Sequence, residues 1–163
     1  MPDFALALAT LDDAPEVAWL IRALDVHYLG EERAPSDEAA RAMVERCLRE
    51  REGTRFLLAR QGGMPVGIAC FTIVRPGHQL GGVLFLKDLF VVTSARGGGI
   101  GRALLAGLAN HARDHGTTRI DLTTEPGNAG ARKLYERLGA RQIEKVFYRF
   151  GPEALAALSE DGP

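Results

Sequence analysis

The chain has 163 residues, 46% hydrophobic and 25% charged, with a formal net charge of −1 and a pI near 6.4. That length suits one domain, 1–163 with a core over about 4–150, that needs no disulfide or metal to fold. The composition excludes a disordered chain or a coiled coil, and the lack of a basic excess speaks against a nucleic-acid partner. The charge is uneven: residues 93–149 carry +5, against −3 for residues 1–92 and −3 for residues 150–163. The 19 glycines exceed the ~7% norm, and four of them crowd into Gly97–Gly101.

In chain order, Phe4–Leu8 reads as a short strand (β1). Asp12, Asp13 and Pro15 open a helix (α1) whose apolar positions Val17, Leu20, Ile21, Leu24 and Tyr28 recur at helical spacing up to Gly30. Ser36 caps a second helix (α2) running to about Glu52. The period then shortens. Arg55–Arg60 (β2), the Gly62-Gly63 turn and Pro65–Val74 (β3) form a hairpin, and Gly82–Val92 is a longer strand (β4). Arg96–Gly101 leads into a helix (α3) with Leu104, Leu105, Leu108, Ala109 and Ala112 on one face. Thr118–Thr123 is a strand (β5), and Asn128–Leu138 is a helix (α4) with Gly139 at its C′ position. Ala140–Glu144 and Val146–Phe150 read as a final strand pair (β6, β7), with a short helix after Pro152. Alternating strands and helices of this kind imply an α/β fold with a mixed sheet.

Cys47 and Cys70 have no CxxC or metal-ligand spacing and read as core filler in a reducing compartment. No apolar run reaches membrane-spanning length, and Met1–Thr10 lacks a signal peptide's basic start, so the expected location is cytoplasmic with no membrane partner. His111 and His115 stand four apart without the glutamate of a zinc protease, and a helix C-terminus favours such residues for its own reasons. His27 and His78 have no ligand partners at useful spacing, so no metal site is expected. No Gly-x-Ser-x-Gly motif or Cys/His pair offers a nucleophile.

The glycine cluster carries the chemistry. A helix N-terminus presents unpaired N–H groups and partial positive charge, glycine lets a ligand approach them, and Arg96 and Arg102 add charge, which together make a phosphate cradle. It is neither a Walker loop nor a dinucleotide fingerprint: no Gly-Lys-Ser/Thr occurs, and the third glycine position falls on Arg102 or Leu104. Arg96-x-x-Gly99-x-Gly101 after a Leu/Val-rich strand resembles motif A of the GCN5-related N-acetyltransferases (GNAT). Asn128-Ala129-Gly130-Ala131-Arg132-Lys133-Leu134-Tyr135-Glu136-Arg137-Leu138-Gly139-Ala140 resembles their motif B, departing only at Ala140, where Phe is usual. Leu86-Lys87-Asp88-Leu89-Phe90-Val91 is similar to a segment of the spermidine/spermine acetyltransferases, with Lys87 in place of a glutamate that handles polyamines.

The resemblance covers essentially the whole chain. It implies the acyl-CoA N-acyltransferase fold in the order β1-α1-α2-β2-β3-β4-α3-β5-α4-β6-β7, acetyl-CoA as cofactor, direct acetyl transfer to a primary amine, and a possible homodimer through the C-terminal strands. It also implies that Phe90, Val91 and Val92 receive the cofactor arm on their backbone, next to a bulge. The pyrophosphate then falls to Arg96, Gly97, Gly98, Gly99, Ile100, Gly101 and Arg102, and Asn128 and Tyr135 also touch the cofactor. Tyr135 is the expected general acid, since a phenol pKa of about 10 is near that of a thiol. Asp88 is the candidate base: if no bulge intervenes it stands between Leu86 and Phe90, where apolar neighbours raise a carboxyl pKa. Tyr28, Glu31 and Glu32, near Asp25 and His27, are the expected acceptor wall. The acceptor itself stays open between a small amine, which is favoured, an aminoglycoside, and a protein lysine or N-terminus. A non-catalytic CoA-binding module is the alternative.

Overall fold

The computed structural model describes residues 3–50, 53–77 and 81–160. The chain divides into two compact units, Met1–Asn128 and Ala129–Pro163.

The first unit holds a five-stranded sheet in the order β1-β2-β3-β4-β5, from Ala5–Leu8, Arg55–Gln61, Met64–Val74, Gly82–Val91 and Thr117–Leu122. The first four strands pair antiparallel, and β5 lies parallel to β4, which requires the crossover through α3, Ile100–Asp114. The mixed α/β sheet is as the sequence implies.

The helices start and stop where side chains dictate. Asp13 is the N-cap of α1, Ala14–Leu29, as the Asp12–Asp13 start implies, and its carboxylate accepts from the N–H (2.7 Å) and the hydroxyl (2.9 Å) of Thr10. Ser36 Oγ accepts from the Ala39 N–H at 3.2 Å to open α2, Asp37–Arg49. Arg60 on β2 pairs with both Asp13 (2.5 Å) and Glu16 (2.6 Å), tying the start of α1 to the sheet.

Each sheet face carries its own core. Val17, Leu20, Leu24, Val44, Phe56, Leu58, Ile68, Cys70 and Phe90 pack together under α1 and α2. Leu57, Phe71, Leu84, Leu86, Ile100, Leu104 and Leu108 pack under α3. Each such side chain contributes roughly 1.5–3 kcal/mol relative to exposure.

One irregularity changes a sequence expectation. Cys70 stands opposite Asp88 and Phe71 opposite Leu86, so Lys87 has no partner on β3 and forms a bulge. Leu86 therefore faces α3, whereas Phe90 faces α1 and α2. Asp88 is not flanked by Leu86 and Phe90 on one face; the extra residue breaks the two-residue period between them.

The second unit holds α4, Ala129–Arg137, and α5, Pro152–Glu160. Gly139 has φ 92°, the Ala140 N–H donates to Tyr135 O (3.0 Å) and the Gly139 N–H to Glu136 O (3.0 Å), which is the glycine-terminated helix end the sequence implies. The expected strands β6 and β7 are not formed. Residues 141–150 have no ladder partner among the described residues and are all exposed.

Candidate active site

The sheet opens along the second half of β4. The β4–β5 ladder ends at Leu86–Leu122, yet β4 continues through Lys87–Val91 with no β5 partner among the described residues. Val92 N–H donates to Val66 O (3.0 Å), so Val92 is bonded toward β3; the Arg96 guanidinium donates to Val91 O (3.0 Å), so Val91 points away from it. By the two-residue alternation, Leu89 and Val91 turn their backbone groups to the open edge, while Phe90 and Val92 turn theirs to β3. Val92 O also accepts from the Ala95 N–H at 2.9 Å. The open edge is thus lined by the backbone groups of Leu89 and Val91, whereas those of Phe90 and Val92, also expected there, face β3. Leu89 was missed because the bulge at Lys87, which sets the phase, leaves no mark in residue types.

Beyond this edge, Thr93–Ala95 make one 3-10 turn and the glycine cluster enters α3. Gly97 and Gly99 have φ of 84° and 81°, a left-handed backbone that disfavours any residue with a Cβ. A Cβ there would meet nothing within 4 Å, so the backbone angle demands glycine, not lack of room. The first bond inside α3 runs from the Ala103 N–H to Gly99 O (3.0 Å), leaving the earlier N–H groups of Ile100, Gly101 and Arg102 outside the helix ladder. A cavity of about 260 Å³ lies against the loop, lined by Ser94, Ala95, Arg96, Gly98 and Ile100 with Asp3, Phe4 and Gln61. Arg96 also sits 6.0 Å from the Phe90 ring centre. An open strand edge leading to helix N–H groups and arginines fits a ligand with an extended amide arm and a pyrophosphate.

At the other end of the open stretch stands Asp88. Its carboxylate bonds Lys87 Nζ at 2.7 Å. Burial pulls the Lys87 ammonium down, but the hydrogen bond and charge of Asp88 outweigh it, helped by Asp25, and its pKa ends above the ordinary lysine value. Cys70, opposite Asp88, is buried, and desolvation with the Asp88 charge pushes its thiol up to about 12. It stays protonated at neutral pH and is no nucleophile. Above this face, His27 on α1 lies 6.2 Å from the Phe90 ring and 5.3 Å from Tyr28, which is 60% exposed. Glu31 is ion-paired with Arg22, which also holds Asp37 at 3.1 Å. Glu32 is exposed in the loop after α1.

Asn128 closes the first unit, its N–H bonded to Glu125 O at 3.0 Å. Tyr135 lies half-buried on α4 beside Leu134, in the second unit. His111 and His115 stack with ring centres 3.9 Å apart, and His111 packs edge-on against Phe71 at 5.1 Å. Among the described residues no cluster of three or more His, Cys, Asp or Glu is arranged to hold a metal ion. His78 lies outside the described residues.

A strand edge left open beside a bulge, followed by a left-handed glycine loop at a helix N-terminus, defines an acyl-CoA-binding transferase. The model of the acetyltransferase (GNAT) family matches residues 18–140, and the chain belongs to that family. It is similar to an IAA acetyltransferase of Azospirillum brasilense, 32% identical over 161 residues covering 98% of both chains. It is also similar to an aminoglycoside N(6')-acetyltransferase type 1 of Salmonella typhimurium, 29% identical, covering 69% of this chain and 80% of that one. Among solved structures, an integron cassette protein from the mobile metagenome of V. cholerae is similar with a TM-score of 0.90 and 30% identity, covering 98% of this chain and 99% of the other. The protein is an acetyl-CoA-dependent N-acetyltransferase that moves acetyl to an amine.

Proposed function

We propose that the chain transfers acetyl directly from acetyl-CoA to the primary amine of a small molecule presented at Asp88. The observation that carries this is the open edge of β4 at Leu89 and Val91, with Asp88 at one end and the glycine loop at the other. Acetyl-CoA, when bound, supplies the acetyl group as an activated thioester. Leu89 and Val91 would receive its amide arm. The loop from Arg96 to Gly101, with Arg102, would hold the pyrophosphate, and Asn128 would also contact the cofactor. Asp88 takes the proton from the acceptor ammonium, directly or through water, and Tyr135 holds the proton for the departing sulfur. The high pKa of the buried Cys70 thiol supports direct transfer without an acyl-enzyme on that residue. Tyr28 and Glu32 stand free to wall the acceptor, whereas Glu31 does so only by releasing Arg22.

A small-molecule acceptor is supported by the aminoglycoside acetyltransferase among the relatives. The family match at residues 18–140 runs across both units and supports reading 1–163 as one N-acetyltransferase domain. No helix among the described residues is long and apolar enough to cross a membrane, and a cytoplasmic location is part of this proposal. A homodimer is also part of this reading. No residue of 129–159 is buried, and Ile143, Val146, Phe147, Tyr148 and Phe150 stand in solvent, a row that a second copy would cover.

The test is CoA thiol release from acetyl-CoA across a panel of amino acids, diamines, aminoglycosides and lysine peptides. Turnover confined to small amines is expected. Turnover on peptides alone overturns the acceptor class, and acetyl-CoA binding without release on any amine favours a CoA-binding module.

A further inference from the structure

The bulge in β4 does more than shift the phase of the strand. Leu84 and Leu86 before it, and Leu89 and Val91 after it, all pack on the α3 side. Lys87 and Asp88 are the two residues over which the alternation slips, and their side chains meet at 2.7 Å. The strand thereby sets a cation and an anion side by side at the open edge. Asp88 is partly covered, with its side chain 21% exposed, whereas Lys87 is 67% exposed. The charged and titratable groups that act on Lys87 come from three elements: Asp88 on β4, Cys70 on β3 and Asp25 on α1. The Cys70 thiol is protonated at neutral pH, so two carboxylates and one ammonium remain as the charges of this corner.

An acceptor must bring an ammonium to Asp88, and in doing so it displaces Lys87. A diamine takes Asp88 from the Lys87 ammonium, leaves it only the charge of Asp25, and sets a second cation near it. An amine that also carries a carboxylate gives both members of the Lys87–Asp88 pair an opposite charge, its ammonium to Asp88 and its carboxylate to Lys87. Like-charge juxtaposition discriminates between partners more strongly than an added attraction does. We propose that the acceptor is a zwitterionic amine of the amino-acid class and that Lys87 is the residue selecting it. This rests on the acceptor entering at Asp88, as proposed above.

L-lysine and cadaverine test it, since they share both amines and the carbon chain and differ by the carboxylate. In wild type, kcat/KM for lysine should exceed that for cadaverine by about tenfold, mostly through KM. Lys87→Gln should bring the two within about twofold by raising KM for lysine at little change in kcat, and Lys87→Glu should invert the preference. Lys87 is an exposed bulge residue, and an unchanged melting temperature would confirm that both variants fold. Equal use of the two amines by wild type, a lysine preference that survives Lys87→Gln, or turnover confined to amines without a carboxylate overturns the proposal while leaving amine acetylation intact. No thiol release with any amine defeats the acceptor reading itself.

Discussion

Two side chains carry the chemistry that can be tested singly. Tyr135→Phe removes one hydroxyl and should lower kcat by about 10²-fold or more while acetyl-CoA binding, read by titration calorimetry, stays within about twofold. Unchanged turnover would remove Tyr135 from proton transfer. Asp88→Asn should lower kcat by about 10²-fold or more, and unchanged turnover would assign the base elsewhere. His111 makes a prediction about stability. Burial, then the neighbouring His115 and Arg55, lower its pKa, and its Nε2 is buried without a partner among the described residues. The folded state therefore binds fewer protons than the unfolded state between that lowered value and about 6.5. Stability should be full above about pH 6.5 and fall as pH drops through that window. His111→Leu should flatten the dependence of melting temperature on pH from 7 to 5, and an equally steep dependence would exclude His111 as its source.

At the scale of elements, the loop between β4 and α3 is the most constrained part of the chain. Gly99→Ala places a Cβ on a left-handed backbone at the start of α3 and should cost about 1–2 kcal/mol in denaturant unfolding. Acetyl-CoA affinity should fall with it, because the same loop presents the N–H groups. Loss of stability without loss of affinity would separate the loop from the cofactor. This loop was legible in the sequence because positive φ selects glycine, a rule written in residue type. The hairpin turn, both ends of α1, the Ser36 start of α2 and the glycine end of α4 were legible for similar reasons. The bulge at Lys87 was not, since any residue can occupy one, and so Leu89 was passed over and Asp88 was placed on a face shared with Leu86. The pairing of Glu31 with Arg22 was equally hidden, because it joins side chains nine positions apart across the end of a helix.

At the scale of the whole molecule, the open question is what covers the C-terminal apolar row. The apolar residues of 140–150 read as two strands, but strand pairing depends on a neighbour that no local pattern names. Leu138, Ile143, Val146, Phe147, Tyr148, Phe150, Leu155 and Leu158 are exposed, and a second copy would bury them. Light scattering should give twice the chain mass of 17.6 kDa, and Phe147→Asp with Tyr148→Asp should give the single mass. A wild-type monomer would show that no second copy covers the row.

The most direct measurement is amide hydrogen exchange with and without acetyl-CoA. Protection should appear at Leu89 and Val91 and along Gly97–Gly101, with Phe90 and Val92 protected in both states by their bonds to β3. Protection absent from the open edge and the loop, and found instead around the α3–β5 cavity at Arg113–Ile120, would contradict the assignment of the acetyl-CoA site.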